Sequence, residues 1–540
     1  MRLGGQKAKD PSFPTDAGKE RSYVVRFPFT GTPIPAGGNL LDRYPLTNPY
    51  AYAAILEDEN GGRKYYLDEV PLTNQEARVY SYILDKLETE LTIPRTEVDP
   101  KRYFAEQAHR IVKKYGIKVA PLPWAKILYF AERDLVGFGV LDAMLKDPNI
   151  EDISVDGVGK PIFIYHRRFE SLGTNLVFGK DSDLDSLITR LAHMAGKHIS
   201  TAFPILQGTL PGRHRLLATF RREISPYGST LTIRKFREDP LTLVDLLDAR
   251  VIDQKMAAYF WLMMENKATS LVVGSTGSGK TTLLNALLTL TRTNSKIVTI
   301  EEVQEVNIPH FNWTALLARE NYGTTGEASS QVNLFDLVKA AMRMRPDIIV
   351  VGEVRGDEAY VLFQAISTGH GGACTIHADD VESAIQRLTS KPMDVPPAFI
   401  PFLDLTFTVR RISVPNPGGG FRAVRRIVSV DEVTKVGEYF NVFRWNPSTD
   451  TFKVAELRNS PKLTRLAKDQ GVQLADLTEE LNKRAVVLRW LQERGIRNFR
   501  EVSAVLEDYA ARPAPVFQKA VKELGIAGTP EAIAAEGFRI

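Results

Sequence analysis

A single cysteine, Cys374, stands in 540 residues, which excludes an internal disulfide framework and any zinc site built from four cysteines of one chain. Charge of one sign is also missing. Lys and Arg number 69 against 65 Asp and Glu, a formal charge of +4, so no global electrostatic case for a nucleic-acid partner arises, although a local basic patch stays open. No long hydrophobic run occurs: Met256 to Met264, the longest beside a helix, is about half of a membrane span, so contact with a membrane is expected to be peripheral. Met1 to Asp16 mixes Lys, Asp, Pro and Gly without an apolar segment and predicts no signal peptide. Internal repeats and low-complexity blocks are lacking, as is an Asn/Thr-Lys-x-Asp motif for guanine recognition. What remains, with 44% hydrophobic and 25% charged residues, is an ordinary globular composition over a length that suggests two to four domains.

Against that background one stretch stands out. Gly274-Ser275-Thr276-Gly277-Ser278-Gly279-Lys280-Thr281, with Thr282 next, follows the apolar Ser270 to Val273 and precedes the apolar run Leu283 to Leu290, a strand, glycine loop and helix in sequence. Three glycines let backbone N–H groups converge on phosphate oxygens, and the helix start adds the positive end of its dipole. Lys280 supplies a point charge for the β and γ phosphates, and Thr281 a hydroxyl for Mg²⁺. Ordinary residue frequencies give ~0.02 accidental matches in a chain of this length. A nucleoside triphosphate is therefore the expected ligand.

Further signals follow in order. Pro346-Asp347-Ile348-Ile349-Val350-Val351-Gly352-Glu353 reads as a buried parallel strand ending in an acid, the Walker B pattern, which places Glu353 to orient Mg²⁺ and its water or to polarise the attacking water. Glu301-Glu302 directly follows the strand Ile297 to Ile300; if that strand neighbours the P-loop strand, Glu301 also sits near the γ phosphate and competes with Glu353 for the role of general base. Ser367-Thr368-Gly369-His370-Gly371-Gly372, with His377 beyond, is better read as a turn bringing imidazole to a phosphate or a neighbouring subunit than as a zinc site, which would need two more ligands. Arg213, Arg215, Arg221, Arg222, Arg234 and Lys235 cluster upstream; a solvated basic face is the default for such runs, and reaching the bound anion is the functional alternative.

The coarse pattern predicts an α/β chain. A flexible tail spans 1–20, N-terminal α/β structure 21–236, a connection 237–250, a P-loop α/β core 251–433, and a C-terminal hairpin and helical region 434–540. Thr73 and Glu76 form a capping box for a helix with the stripe Val79, Ile83, Leu87 and Leu91, and Leu474 to Leu491 keep helical spacing. Glu305 to Gln331 is long for a connection, a length usual for functional or mobile loops.

The Walker A loop, the acidic box Thr299-Ile300-Glu301-Glu302, the Walker B strand, and Ser367 to Gly372 with Thr375-Ile376-His377-Ala378 together resemble the type II/type IV secretion and pilus-assembly ATPases. The resemblance extends to Asp147 to Gly157 and Arg213 to Phe236. Through Tyr165-His166-Arg167 and the helices from about Lys462 to Pro513, it favours the archaeal branch that includes the archaellum motor. It departs where Glu302 replaces the family's usual Asp and where the bacterial tetracysteine module is missing.

The resemblance implies a Mg²⁺-dependent ATPase working as a homohexamer, with a RecA-like domain and a smaller N-terminal α/β domain between which nucleotide lies. Arg213, Arg215 and Arg234 would approach the phosphates from the N-terminal domain, with Arg343 a further candidate, and His370 and His377 would sense the γ phosphate. A polytopic membrane platform protein, filament accessory proteins and a place at the cytoplasmic face of the membrane are the implied setting, with no nucleic acid expected. A RecA-like nucleic-acid translocase is the alternative, and a nucleotide-switched regulator a third reading.

Overall fold

The computed structural model describes residues 29–31, 35, 38–90, 99–319, 332–415 and 421–526. The expected tail 1–20, Leu91 of the helical stripe and most of the segment after Gly525 lie outside the described residues. The chain divides into two compact units, Met1–Phe236 and Arg237–Ile540.

The first unit is built on one sheet. Its strands are β1 (Phe29–Gly31), β2 (Asn39–Thr47), β3 (Ala51–Glu57), β4 (Arg63–Glu69), β5 (Ile150–Val155), β6 (Pro161–His166), β7 (Glu170–Phe178), β8 (Ile205–Thr209), β9 (Arg215–Thr219) and β10 (Thr230–Arg234). They run β2-β3-β4-β7-β6-β5-β10-β9-β8, with β1 also on β7, and among the described residues every pairing is antiparallel except β4 with β7. Alternation along β6 and β10, where Ile162, Ile164, Leu231 and Ile233 are buried between exposed neighbours, shows a sheet with one covered face. The helix Asn74–Glu90 begins with the reciprocal cap read from sequence: Glu76 N–H donates to Thr73 Oγ1 at 3.3 Å and Thr73 N–H to Glu76 Oε2 at 2.7 Å. Its Val79, Ile83 and Leu87 are buried in the unit's core.

In the second unit nine strands form a single sheet: β11 (Ser270–Val273), β12 (Ile297–Glu301), β13 (Trp313–Leu317), β14 (Ile348–Val351), β15 (Gly371–Ile376), β16 (Leu405–Pro415), β17 (Phe421–Lys435), β18 (Glu438–Asn446) and β19 (Thr451–Val454). Their order is β13-β12-β14-β15-β11-β16-β17-β18-β19, parallel from β13 to β16 and antiparallel beyond. All four residues of β11 and of β14 are buried, because helices cover both faces. Val272, Ile348 and Val350 pack on one side with the helices Gln254–Glu265, Lys280–Thr289 and Leu474–Glu493. Leu271, Val273, Ile349 and Val351 pack on the other with Leu334–Met342, Glu358–Ser367 and Val381–Thr389.

Three expectations change here. The connection expected at 237–250 contains the helix Leu243–Asp248, capped reciprocally by Thr242 and Asp245, and its Leu243, Val244, Leu246 and Leu247 are buried in the second unit's core. A core ending at 433 would cut β17; the sheet instead runs on through a turn at Gly437, φ +77°, into β18 and β19. The long connection Glu305 to Gln331 contributes the edge strand β13, and its residues 320–331 lie outside the described ones. The C-terminal helices are fixed to this core: Arg484, buried, pairs with Glu265 at 2.6 Å and lies over the ring of Trp261 at 4.7 Å. Among the described residues no helix is long and apolar enough to cross a membrane.

Candidate functional site

At the carboxyl end of β11 the chain turns at Gly274, where an added Cβ would come within 2.5 Å of the Val409 carbonyl and 2.6 Å of Ser278 Oγ. Gly277 and Gly279 have φ of +72° and +99°, values that side-chain-bearing residues avoid. The loop feeds the helix Lys280–Thr289, whose N-cap is Gly279 and whose first amides receive no side-chain cap, which leaves them available to an anion. Lys280 is buried; its Nζ donates to Ser275 O at 3.1 Å and lies 3.4 Å from both ring nitrogens of His377. Burial lowers its pKa, and the Glu353 carboxylate opposes that shift.

Two acids end neighbouring strands at this end of the sheet; β12, which carries Glu301, does not adjoin the loop strand β11 but is separated from it by β14 and β15. Glu301, the last residue of β12, is buried, and its Oε1 accepts the N–H groups of Glu305 and Val306, each at 2.9 Å. Burial pushes its carboxyl up to about 7, with those two amides pulling the other way. Its Oε2 is buried with no hydrogen-bond partner. Room for this side chain depends on Gly352, where an added Cβ would stand 2.9 Å from Glu301 Cγ. Glu353 follows β14: Arg355 Nη2 lies 2.5 Å from its Oε2, and His377 Nε2 lies 2.9 Å from its Oε1 without the alignment of a hydrogen bond. Burial first, then Lys280, lowers the His377 pKa, so the ring is neutral at neutral pH. Arg355 also stands 3.6 Å from Glu302, which is half-exposed.

The expectation that both histidines face the γ phosphate is corrected by strand direction. His377 follows β15 and sits with Lys280, whereas His370 precedes β15 at the other edge of the sheet, a strand of about 20 Å away. There its Nδ1 lies 3.1 Å from Ala365 O, and it lines a pocket with Lys267, Arg345 and Asp347. Arg343 is corrected for the same reason: it ends the helix Leu334–Met342 and precedes β14, so it belongs to the amino edge and stands away from the loop of its own chain. Asp347, at the start of the Walker B segment, is structural at that edge, holding Lys267 Nζ at 2.6 Å and Lys296 N–H at 2.8 Å.

Arg213, Arg215 and Arg234 belong to the first unit. Arg213 sits in the turn before β9 with φ +63° and its guanidinium over the Phe236 ring, 5.3 Å away. Arg215 and Arg234 are direct cross-strand partners on β9 and β10, and Arg234 Nε reaches Asp152 Oδ1 at 3.2 Å. Like charges facing each other across a ladder cost stability unless an anion lies between or beside them, and Asp152 supplies one.

Sequence reasoning missed two cations of the second unit. Arg355 was legible, two residues beyond Glu353. Arg425, on β17, donates from Nε to Gly277 O at 3.2 Å; it lies 148 residues from that loop, and nothing local marks it.

Among the described residues no cluster of three or more His, Cys, Asp or Glu is arranged to hold a metal. Mg²⁺ bound with a nucleotide needs fewer protein ligands, since waters and phosphates complete its shell. The residues fit that case: the Thr281 hydroxyl at the end of the loop and the Glu353 carboxylate, whose Oε1 has no hydrogen-bond partner, are oxygen donors, and the buried Ser278 Oγ within the loop is likewise unpartnered.

Known proteins place the chain more narrowly. A family model described as Type II/IV secretion system protein matches residues 141–397, which takes in the loop, both acids and both histidines. An uncharacterized protein of Methanocaldococcus jannaschii is 36% identical over 400 residues, covering 72% of this chain and 70% of that one. The Type IV secretion system protein PtlH of Bordetella pertussis is 34% identical over 275 residues, 46% of this chain and 80% of that protein. Among solved structures, the Legionella pneumophila ATPase DotB is similar at 17% identity and a TM-score of 0.39, covering 75% of this chain and 97% of that one. With a phosphate-loop core of this arrangement, the family model over residues 141–397, and 34% identity to PtlH across 80% of that protein's length, the chain belongs to the type II/IV secretion system protein family.

Proposed function

We propose that the chain is a Mg²⁺-dependent ATPase that works as a homohexamer. It would drive assembly, rotation or secretion of a pilus-like filament through a polytopic platform protein, from the cytoplasmic face of the membrane. The observation that carries this reading is the convergence of Lys280, Glu301, Glu353 and His377 at the carboxyl edge of one parallel sheet, beside a glycine loop shaped for phosphate. Family membership and the similarity to the Type IV secretion system protein PtlH support the biological setting.

In the proposed site the loop amides and Lys280 hold the β and γ phosphates. Thr281 and Glu353 hold Mg²⁺, which when bound neutralises charge on the phosphoryl oxygens. Glu301 takes the proton of the attacking water. Its carboxyl, raised to about 7, is a stronger base than an ordinary glutamate, and fixing Oε1 by two amides leaves Oε2 for the water. Arg355 and His377 orient Glu353 from either side, and neutral His377 can donate toward the γ phosphate. Arg215 and Arg234 are proposed as the cations that the N-terminal unit brings to the nucleotide. ATP turnover by Lys280→Ala and Glu353→Gln proteins, compared at matched folding, tests the assignment: both should fall by at least an order of magnitude, and undiminished turnover in both would sink it.

A further inference from the structure

The phosphate loop has two flanks, and the proposed reaction uses only one. On the β14–β15 side stand Glu353 and His377, the latter 3.4 Å from Lys280 Nζ, which marks that side as the γ-phosphate end. On the other side β11 pairs with β16, and β16 with β17, so these two strands wall the loop where no function has been assigned. The wall is close: Val409 O on β16 would stand 2.5 Å from a Cβ placed on Gly274.

Arg425 reaches over this wall. Its Nε donates to Gly277 O at 3.2 Å, and its Cδ would lie 3.3 Å from a Cβ placed on Gly279. The guanidinium is exposed and forms no ion pair with a carboxylate among the described residues. Its chain neighbour behaves oppositely. Arg426 is buried, bidentate with Asp450 at 2.8 and 2.9 Å, and bonded to the carbonyl of Ala249 at 3.0 Å. Successive residues of a strand point to opposite faces, so the anchored Arg426 fixes the register of β17 and thereby the side on which Arg425 emerges. An arginine without an acid, bound only to a carbonyl at the tip of a phosphate loop, has four further N–H donors free for an anion.

We propose that Arg425, placed against Gly277 and Gly279 on the flank opposite Glu353 and His377, is a nucleotide-binding residue that grips the α-phosphate and ribose side of the nucleotide. The inference rests on the reading of this loop as the nucleotide site. Because the contact lies away from the γ phosphate, it is made equally to substrate and product and acts on affinity more than on the chemical step.

The test is equilibrium binding of ADP and of a non-hydrolysable ATP analogue to the full chain and its Arg425→Gln and Arg425→Lys variants, with steady-state ATPase kinetics alongside. Arg425→Gln should weaken both nucleotides by the same factor, about tenfold, and raise KM similarly, with kcat changed less than about twofold. Arg425→Lys should restore part of that loss, since charge remains while the fork is lost. Loss confined to the triphosphate, a fall in kcat alone, or unchanged affinity for both nucleotides would overturn the inference. Lys280→Ala separates the two levels. If it loses nucleotide while Arg425→Gln keeps it, only the role of Arg425 fails; if Lys280→Ala binds ADP like the parent chain, the nucleotide reading itself fails.

Discussion

The two edges of the parallel sheet carry similar residues in opposite states. At the amino edge Asp347 is occupied by Lys267 and by the Lys296 amide, its backbone carbonyl accepts Gly371 N–H at 2.9 Å, and His370 rests on the Ala365 carbonyl. The carboxyl edge leaves Glu301 Oε2 and Ser278 Oγ buried and unbonded, holds a lysine beside a histidine, and raises a carboxyl to about 7. Buried polar atoms are nearly always paired in folded proteins; the amino edge has such an orphan too, Ser270 Oγ at the start of β11, but at the carboxyl edge the orphans accompany a raised carboxyl and a glycine loop shaped for phosphate, and that combination marks the candidate site. The proposed chemistry sits at the second of these edges.

Substitutions at matched positions break or sharpen this contrast. Lys280→Ala is expected to abolish ATP turnover, at least about 100-fold, whereas Lys267→Ala at the opposite edge should stay within about twofold, measured by phosphate release. Next, Glu301→Gln should lower kcat by about 100-fold. In the parent chain turnover should rise as pH increases through about 7, where Glu301 ionises, and the variant should lose that limb of the profile. Stability carries the opposite sign. Because the folded carboxyl lies above its usual 4.5, ionising it is penalised in the fold; this cost is absent below pH 4.5, grows as pH rises toward 7, and is constant above. Melting of Glu301→Gln against the parent at pH 5 and pH 8 reads this directly, and the variant should compare more favourably at pH 8.

The histidine pair gives a smaller effect. His377→Ala should cost about tenfold in kcat and His370→Ala less than about twofold; equal losses would show that the edges are not divided as described. Smallest is Asp347→Ala, expected to leave turnover intact and to cost about 1 kcal/mol by thermal unfolding, since its partly exposed contacts are open to water.

Much of this was legible in the chain. The glycine loop, the acids after two β-branched strands and the Thr73–Glu76 cap announce themselves because each meets a local backbone requirement with neighbouring residues. The separation of His370 from His377 was also within reach: one precedes a strand and the other follows it, and a parallel sheet sends those ends apart. The boundary at 433 was harder, because β17 and β18 continue the sheet antiparallel through a short turn, with no composition shift to mark where the RecA-like pattern gives way.

By itself the sequence determined the phosphate loop, the strand-helix alternation and the residues able to do the chemistry, since these follow from spacing along a few dozen residues. Only the tertiary structure decided that Glu301 is buried under two backbone amides with one oxygen free, and that Gly352 makes room for it. It alone brought Arg425 over Gly277 from 148 residues away. Burial and long-range adjacency depend on which strands lie side by side, and that is fixed by the packing of the whole sheet rather than by any local run of residues.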